Sequence, residues 1–442
     1  MNLYLYLEIL NREFLSKMLI GMESASKGAN VYFGRVKPYL LRGFFAPGVI
    51  LEKSNTPAPK KIKELLFYKK KNFSITSLDE ESGLLSIKSN KRNNFNDYRK
   101  TRFSEKSVNL TDKIFTWGKY NFNNLKKEFK KFEKKFVLSG NPRLDFWRED
   151  FDFFYKTKKF KYSNYILFSL NIPYLVSNKE FSKKLKFLEK SEYFKRGMTK
   201  KFVIKKKLDG YNMYKKFLEL IAKLSKLTKL KIIVRPHPTE PINNYKSLKK
   251  FNNVIVSKKG SLSEWIYHSR IVVHSGCNGG FESSIRGVPT IAYVPFKTTH
   301  GKEAANKYSI KANTQKKCLK FICDEINKNN RNKKNKFEQI RYYALNLLSK
   351  KPAYKIISEN LLKLIKSKNL KYSNNNFFLM VRFKLRDLRS TLMNKEYGDE
   401  RKFTYFDTQE VLNTFRIFQS MNPKYKNLKV IFLKKDIILI KK

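Results

Sequence analysis

Two histidine-bearing stretches carry the residue types from which a phosphate site is built. In Arg235-Pro-His-Pro-Thr-Glu240 an imidazole, His237, stands between two prolines directly after the β-branched run Lys231 to Val234. Proline cannot donate to a sheet ladder, so a strand must stop there and leave Arg235 and His237 at its carboxyl end. Open α/β sheets hold ligands outside that end, where a guanidinium and an imidazole suit a phosphate. The stretch Val273-His-Ser-Gly-Cys-Asn-Gly-Gly-Phe-Glu282 repeats the logic. Ile271 to His274 reads as a buried strand, and Ser275, Gly276, Asn278, Gly279 and Gly280 turn into an amphipathic segment, Phe281 to Arg286. Small residues let the backbone approach an anion, which the free N–H groups and dipole of the new helix would hold. Glu240 and Glu282 are placed to meet ribose or sugar hydroxyls. Each has a plainer reading: His237 as a turn histidine, Glu240 as a cap, Glu282 as a complement to the helix dipole. Cys277 reads as a packing residue, because His274 shows no acidic partner nearby in sequence.

Further motifs lie upstream. Glu8 with Arg12-Glu13-Phe14, Leu51-Glu-Lys-Ser54, Asp79-Glu-Glu81, Trp117-Gly118 and Gly140-Asn-Pro-Arg-Leu-Asp145 precede the two stretches above, which end near Pro295. Together they resemble the bacterial surface carbohydrate biosynthesis proteins, a group with the GT-B glycosyltransferase fold. The resemblance covers roughly two thirds of the chain, and its order and spacing are more specific than any one motif. It implies two Rossmann-like domains facing across a cleft, the second binding a nucleotide-activated sugar and the first a glycan or lipid-linked acceptor. A nucleotide sugar would be the substrate, with no cofactor. The pairing of the motifs is also similar to that of UDP-N-acetylglucosamine 2-epimerases. Arg-Pro-His-Pro is similar to the His-Pro motif of CDP-glycerol glycerophosphotransferases and capsule-type Kdo transferases, but Ser275-Gly276-Cys277 departs from the Asp-Tyr-Ser-Ser pattern of the glycerophosphotransferases.

Inverting transfer needs a group to take the acceptor's proton and positive charge or dipoles for the leaving phosphate. Glu8, after the first strand, is the first candidate for base and Glu13 the second; His237 serves the phosphate. Arg12, Lys53, Asn141 and Arg143 are candidate cleft or acceptor residues. Asp79 to Glu81 make a poor metal site, since adjacent carboxylates on an extended chain point to alternating sides, and the expectation is transfer without a metal.

The elements that must position these residues alternate strand and helix. Strands are expected at Leu3–Leu7, Val31–Gly34, Val49–Leu51, Phe73–Thr76, Lys113–Trp117 and Lys135–Ser139, with helices at Glu13–Lys27, Lys60–Lys70 and Asn121–Glu133. Ser86 to Asn109 reads as loop and Phe151 to Ser163 as a connection. A second series follows: strands at Tyr165–Leu170, Lys231–Val234, Val254–Val256, Ile271–His274 and Thr290–Val294, and a helix at Gly210–Leu227. The expected organisation is an acceptor domain over 1–155, a donor domain over 160–350 and a basic, partly helical extension over 351–442, whose end, Leu428–Ile440, shows two β-like runs.

With 442 residues, two domains are expected. Lys and Arg number 95 against 37 Asp and Glu, a formal charge of +58. That balance fits a polyanionic partner or AT-rich codon usage, which also enriches Asn, Ile, Phe and Tyr. A non-enzymatic polyanion-binding protein is therefore the reading from a different class, although no zinc finger, RRM or KH signature marks a specific nucleic-acid binder. Lys69–Lys71, Lys126–Lys135, Lys200–Lys207 and Arg331–Lys336 are runs that suit an anionic membrane surface, at about 1 kcal/mol for each nearby charge. The three cysteines, Cys277, Cys318 and Cys323, show neither pairing nor zinc spacing, which points to a reducing compartment. Charges at Glu8, Arg12 and Glu13 break the apolar start before a secretory signal can form, and no segment reaches the length of a span. The expected location is the cytoplasm, peripheral to the inner face of the membrane.

Overall fold

The computed structural model describes residues 1–81, 102–158, 160–172, 175–196, 199–237, 240–297, 304–328, 351–370, 374–392 and 405–442. Described residues of 1–158 and 351–442 form one compact unit, and those of 160–328 a second. Each is an α/β unit built on a mainly parallel sheet, the doubly wound Rossmann-like pattern.

The first unit opens β1 (Asn2–Tyr6), α1 (Leu10–Ser26), β2 (Asn30–Gly34), β3 (Val49–Glu52), α2 (Pro59–Lys70), β4 (Ser74–Leu78), β5 (Lys113–Thr116), α3 (Lys119–Glu128) and β6 (Phe136–Leu138). The strands run parallel in the order β2-β1-β3-β4-β5-β6. Leu3, Tyr4 and Leu5 of β1, and Val49, Ile50 and Leu51 of β3, are wholly buried, so these strands read as unbroken apolar runs rather than alternating ones. Because β2 lies on one side of β1 and β3 on the other, the strand order reverses between β1 and β3.

Two expectations change here. Phe151 to Ser163 is not simply a connection: Asp152–Thr157 is helical, and Phe151 and Phe154 pack on Phe146. Aromatic side chains that read as linker composition are part of the first unit's core. Of the expected loop at Ser86 to Asn109, residues 86–101 lie outside the described residues, while Glu105–Leu110 forms a short helix capped by Ser104.

The second unit contains β7 (Tyr165–Ser169), α4 (Asn178–Lys190), α5 (Lys200–Leu227), β8 (Ile232–Arg235), β9 (Val254–Val256), α6 (Leu262–His268), β10 (Ser269–His274), α7 (Asn278–Arg286), β11 (Thr290–Tyr293), β12 (Ile310–Ala312) and α8 (Gln315–Asn327). Its sheet is parallel throughout, in the order β12-β11-β10-β7-β8-β9. Here the order reverses between β7 and β10. Helix α5 starts ten residues before the expected Gly210, so the lysine run 200–207 is its first two turns, entered through a Thr199 cap on the Phe202 N–H. Arg331–Lys336 lies outside the described residues.

The chain then returns to the first unit. After α9 (Ala353–Ser367), α10 (Asn376–Leu392) and α11 (Thr408–Met421) come β13 (Lys429–Lys434) and β14 (Ile437–Lys441). The segment expected as an extension completes the first sheet, β14 pairing antiparallel with β2 and β13 forming the edge. Ile437, Ile438, Leu439 and Ile440 are fully buried. Gly34 makes room for this: a Cβ there would overlap the backbone of Asp436. Asp145 anchors the return, its two carboxylate oxygens accepting the Ala353 N–H at 3.0 Å and the Tyr354 N–H at 2.9 Å at the start of α9. The motif Gly140 to Asp145 is thus a capping device within one unit. Asp145→Ala would leave two buried N–H groups without their acceptor and should lower the first unit's stability by about 1–3 kcal/mol. Denaturant unfolding followed in that unit checks it, and an unchanged midpoint would show that the cap carries no net energy.

Candidate functional site

In an open α/β sheet the crevice for a ligand lies outside the carboxyl ends of the strands where their order reverses. In the second unit that point joins Ser169-Leu170-Asn171 after β7 to His274-Ser275-Gly276-Cys277 after β10. The Cys277 thiol lies 3.2 Å from Ser169 Oγ, and Asn171 Nδ2 donates to the Gly276 carbonyl at 3.2 Å. The first turn of α7 begins directly afterwards, where the Gly280 N–H donates to the Cys277 carbonyl at 3.1 Å and the N–H groups of Gly279 and Gly280 face the Cys277 thiol. Ser275 is fully buried here, and its hydroxyl has no hydrogen-bond partner among the described residues.

His274 holds this turn in shape. Its Nδ1 accepts the Gly276 N–H at 3.0 Å and its Nε2 meets Ser309 Oγ at 2.8 Å, while the Ser309 hydroxyl donates to the Ala305 carbonyl at 2.9 Å. These bonds fix a neutral imidazole that carries its proton on Nε2, and burial pushes the ring's pKa down to about 3. Gly276 adopts a positive φ of 79°, and a Cβ on Gly280 would overlap the His274 ring. The glycines therefore answer first to His274. A Cβ on Gly279 would sit 2.6 Å from Ser169 Oγ. Burial also raises the Cys277 thiol, which fits its reading as packing. Glu282 is buried on α7, and of Asn278 only its place at the helix start is described.

At the end of β8 three expectations part company. Arg235, expected to meet phosphate, is buried; its guanidinium donates to the carbonyls of Ser257 (3.1 Å), Lys259 (2.5 Å) and Gly260 (2.9 Å) and lies over the Trp265 ring. It clamps the loop after β9. Glu240, expected to reach hydroxyls of a ligand, is wholly buried as well. Its Oε1 accepts the N–H of Ile172 at 2.9 Å and of His237 at 3.0 Å, and its Oε2 accepts the Tyr245 hydroxyl at 2.5 Å. Burial raises this carboxyl to about 7 against the pull of those donors and of Lys258, whose ammonium bonds the Glu240 carbonyl. Only His237 is partly exposed, set by the backbone bond to Glu240.

In the first unit the order reverses between β1 and β3, and there Glu8 and Lys53 form an ion pair, both partly exposed. Of the other expected residues, Arg12 is partly exposed, and Glu13, Asn141 and Arg143 are buried. Glu13 is buried in the first turn of α1, taking the Lys17 ammonium at 2.9 Å, the Arg12 guanidinium at 3.0 Å and the Glu8 N–H at 3.1 Å. Burial alone would raise its carboxyl, but Lys17 and Arg12 outweigh that and hold it below the usual range. A buried carboxylate so held is a fixed counter-charge. Arg12 also faces Glu81 at 3.5 Å. Arg143 is buried, 3.7 Å from the Glu80 carboxylate and over the Trp117 ring, and Asn141 caps its own turn by accepting the Arg143 N–H at 2.9 Å. Asp79 and Glu81 are both engaged by Arg102. Asn141 and Arg143 are thus both engaged within the first unit.

Sequence reasoning missed Ser169, Asn171, His274, Tyr245 and Lys258. The polar triplet end Ser169-Leu-Asn171 after an apolar strand was the one available signal.

No family model and no curated protein matches this sequence. Solved structures do match. A variant of the wall teichoic acid polymerase TagF soaked with CDPG is 12% identical, the match covering 84% of this chain and 89% of that one at a TM-score of 0.52. The UDP-GlcNAc 2-epimerase of Methanocaldococcus jannaschii, in complex with UDP-GlcNAc and UDP, is 15% identical over 82% of this chain and 100% of its own, at 0.48. That of Neisseria meningitidis, bound to UDP-GlcNAc, is 13% identical over the same shares, at 0.45. The likeness to TagF shows the fold, which is GT-B-like.

His274 and Glu240 make opposite contributions to the pH dependence of the second unit. Unfolded histidine protonates near 6.5 but the buried ring only near 3, so the unfolded state binds the extra proton and stability falls as pH drops through that window. Folded Glu240 keeps its proton up to about 7 whereas the unfolded carboxyl loses it near 4.5, so stability falls as pH rises between them. The two oppose each other over the overlap. Glu240→Gln should therefore move the onset of acid destabilisation from about 4.5 up to about 6.5. Unfolding profiles of the two proteins that coincide would contradict this. Separately, Gly280→Ala should destabilise the second unit by roughly 1–3 kcal/mol through overlap with His274, read as a lower melting temperature.

Proposed function

We propose that this protein is a glycosyltransferase-like enzyme of surface polysaccharide biosynthesis that takes a sugar from a nucleotide-activated donor. The second unit binds the donor and the first its glycan or lipid-linked acceptor. The observation that carries the reading is the turn after β10: a buried Ser275 hydroxyl without a partner among the described residues stands at a strand-order reversal, beside the N-terminus of α7. A bound phosphate oxygen would accept from the Ser275 hydroxyl and lie at the positive end of the α7 dipole. His237, partly exposed at the end of β8, adds a donor from the neighbouring strand. Glu8 is the base in this reading: it takes the acceptor hydroxyl's proton as the new glycosidic bond forms and the bond to the leaving phosphate breaks. Lys53, paired with Glu8, orients that carboxylate.

The likeness to TagF supports the fold on which this reading stands, and the soaking of that polymerase with CDPG is in keeping with a nucleotide-activated donor. Activity of the 2-epimerase kind is the second reading. It would need the donor site alone, and the Glu8 and Lys53 pair at the end of β1 and β3 favours transfer over it.

Nucleotide should stabilise the full chain. At about a hundred times its dissociation constant a ligand adds roughly 2.7 kcal/mol, a readable shift in melting temperature. Among UDP, CDP, CMP and GDP, at least one should give that shift, and Ser275→Ala and His237→Ala should reduce it. Absence of any shift with the wild type would overturn the donor site. Once a donor and acceptor pair is known, Glu8→Gln should lower kcat by about a hundredfold or more with donor affinity little changed. Wild-type turnover in that variant would remove Glu8 from the mechanism, and release of a 2-epimer without acceptor would replace transfer by epimerisation.

A further inference from the structure

We propose that α10 is a membrane-docking element whose outer face inserts at the headgroup boundary of an anionic bilayer. The inference is independent of the donor-site reading. Three consecutive asparagines fix how this helix sits on the first unit. Asn375 caps it, accepting the N–H groups of Phe377 and Phe378 at 3.1 and 3.3 Å. Asn374 accepts the Ala46 N–H at 2.8 Å and donates to the Tyr4 hydroxyl at 3.0 Å, while Asn376 accepts from the Tyr32 hydroxyl at 3.0 Å. The inner face is then settled. Leu379 and Phe383 are buried, with the Phe383 ring 4.9 Å from that of Tyr39 and stacked on Phe44 at 5.7 Å.

The opposite face is also apolar. Phe377, Val381 and Leu385 recur every fourth residue, which places them in one row on a helix, and Phe378 flanks them. They are 70%, 37%, 63% and 62% exposed. A helix that already covers a core with one face normally turns polar residues outward. Three large apolar side chains in a row with a fourth beside them on the other face call for a second apolar surface. The row from Phe377 to Leu385 is about 12 Å long, which suits a helix lying in the plane of a membrane. Spanning is excluded for this helix, since no helix among the described residues is long and apolar enough to cross.

Charge selects the occupant. The row is bordered by exposed Arg382 and Lys384, and residues 374–386 contain no acidic side chain, the first being Asp387. The Arg382 guanidinium lies over the Phe44 ring at 4.6 Å and that of Arg386 over Tyr39 at 4.4 Å, holding positive charge alongside the row. A second copy meeting this face through a twofold axis would bring like charges together. Lipid headgroups carrying negative charge complement it instead, as they do the formal +58 of the whole chain.

The test is sedimentation of the full chain with vesicles of phosphatidylcholine containing about 30 mol% phosphatidylglycerol. Wild type should bind, and a fraction should stay bound at about 0.5 M salt, because apolar insertion is not screened. Phe377→Ser with Leu385→Ser should weaken binding at least roughly tenfold with an unchanged melting temperature, both side chains being exposed. Ile204→Ser with Leu208→Ser, exposed apolar positions on α5, should bind as wild type does. The proposal is overturned by absence of wild-type binding, by complete loss of binding in salt, or by equal binding of the α10 variant. An assembly in lipid-free solution that the α10 substitutions abolish would assign the face to a second copy instead.

Discussion

A loop leaving the carboxyl end of a buried parallel strand carries N–H and C=O groups out of the ladder, and each needs a partner. The organisation of both units depends on how that need is met. Arg235 supplies donors to three carbonyls after β9, Glu240 takes two N–H groups from the loops after β7 and β8, and His274 takes the N–H of Gly276. In the first unit Glu13 takes the Glu8 N–H and Asp145 caps α9. Ionisable side chains do this well because a charged acceptor or a forked donor serves several backbone groups at once. Removing one takes a partner from several backbone groups at once.

The same constraint explains what was legible in the sequence. The strands of residues 2–138 lie within two residues of their expected places because each is an apolar run bounded by turn residues. Both order-reversal points hold motifs that the sequence displays: Glu8 and Lys53 in one, Ser275 to Gly280 in the other. What the sequence does not encode locally is direction. Arg235 and His237 are two residues apart on one strand end, yet one guanidinium turns inward to a loop from a different part of the chain and the imidazole stays partly exposed. Asn141, Arg143, Glu13 and Glu240 depart from expectation for the same reason, as residue types suited to a ligand whose partners here are backbone and counter-charges. The place of β14 was hidden differently. Four buried residues in succession, Ile437 to Ile440, show no period, and the partner strand β2 lies at the opposite end of the chain.

Charge is distributed unevenly between interior and surface. Glu13, Glu23, Glu52, Asp79 and Glu80 are buried and engaged by Lys17, Lys27, Lys61, Arg102 and Arg143. These pairs balance one another, so the formal excess of +58 falls on the remaining residues, and apolar groups among them, as on α10, stand in a positive field.

The insertion of β14 beside β2 has a consequence for synthesis. The described elements of the second unit follow one another in sequence from β7 to α8, so they can pack as soon as β12 and α8 have left the ribosome, with domains forming as units. The first unit is started earlier but lacks a strand until residues 437–441 emerge. Until then β2 keeps an open hydrogen-bonding edge, and the apolar side chains that β14 will cover remain wet. The nascent chain therefore matures out of order, β2 waiting for β14, and the interval is one in which a holding chaperone has a defined edge to protect.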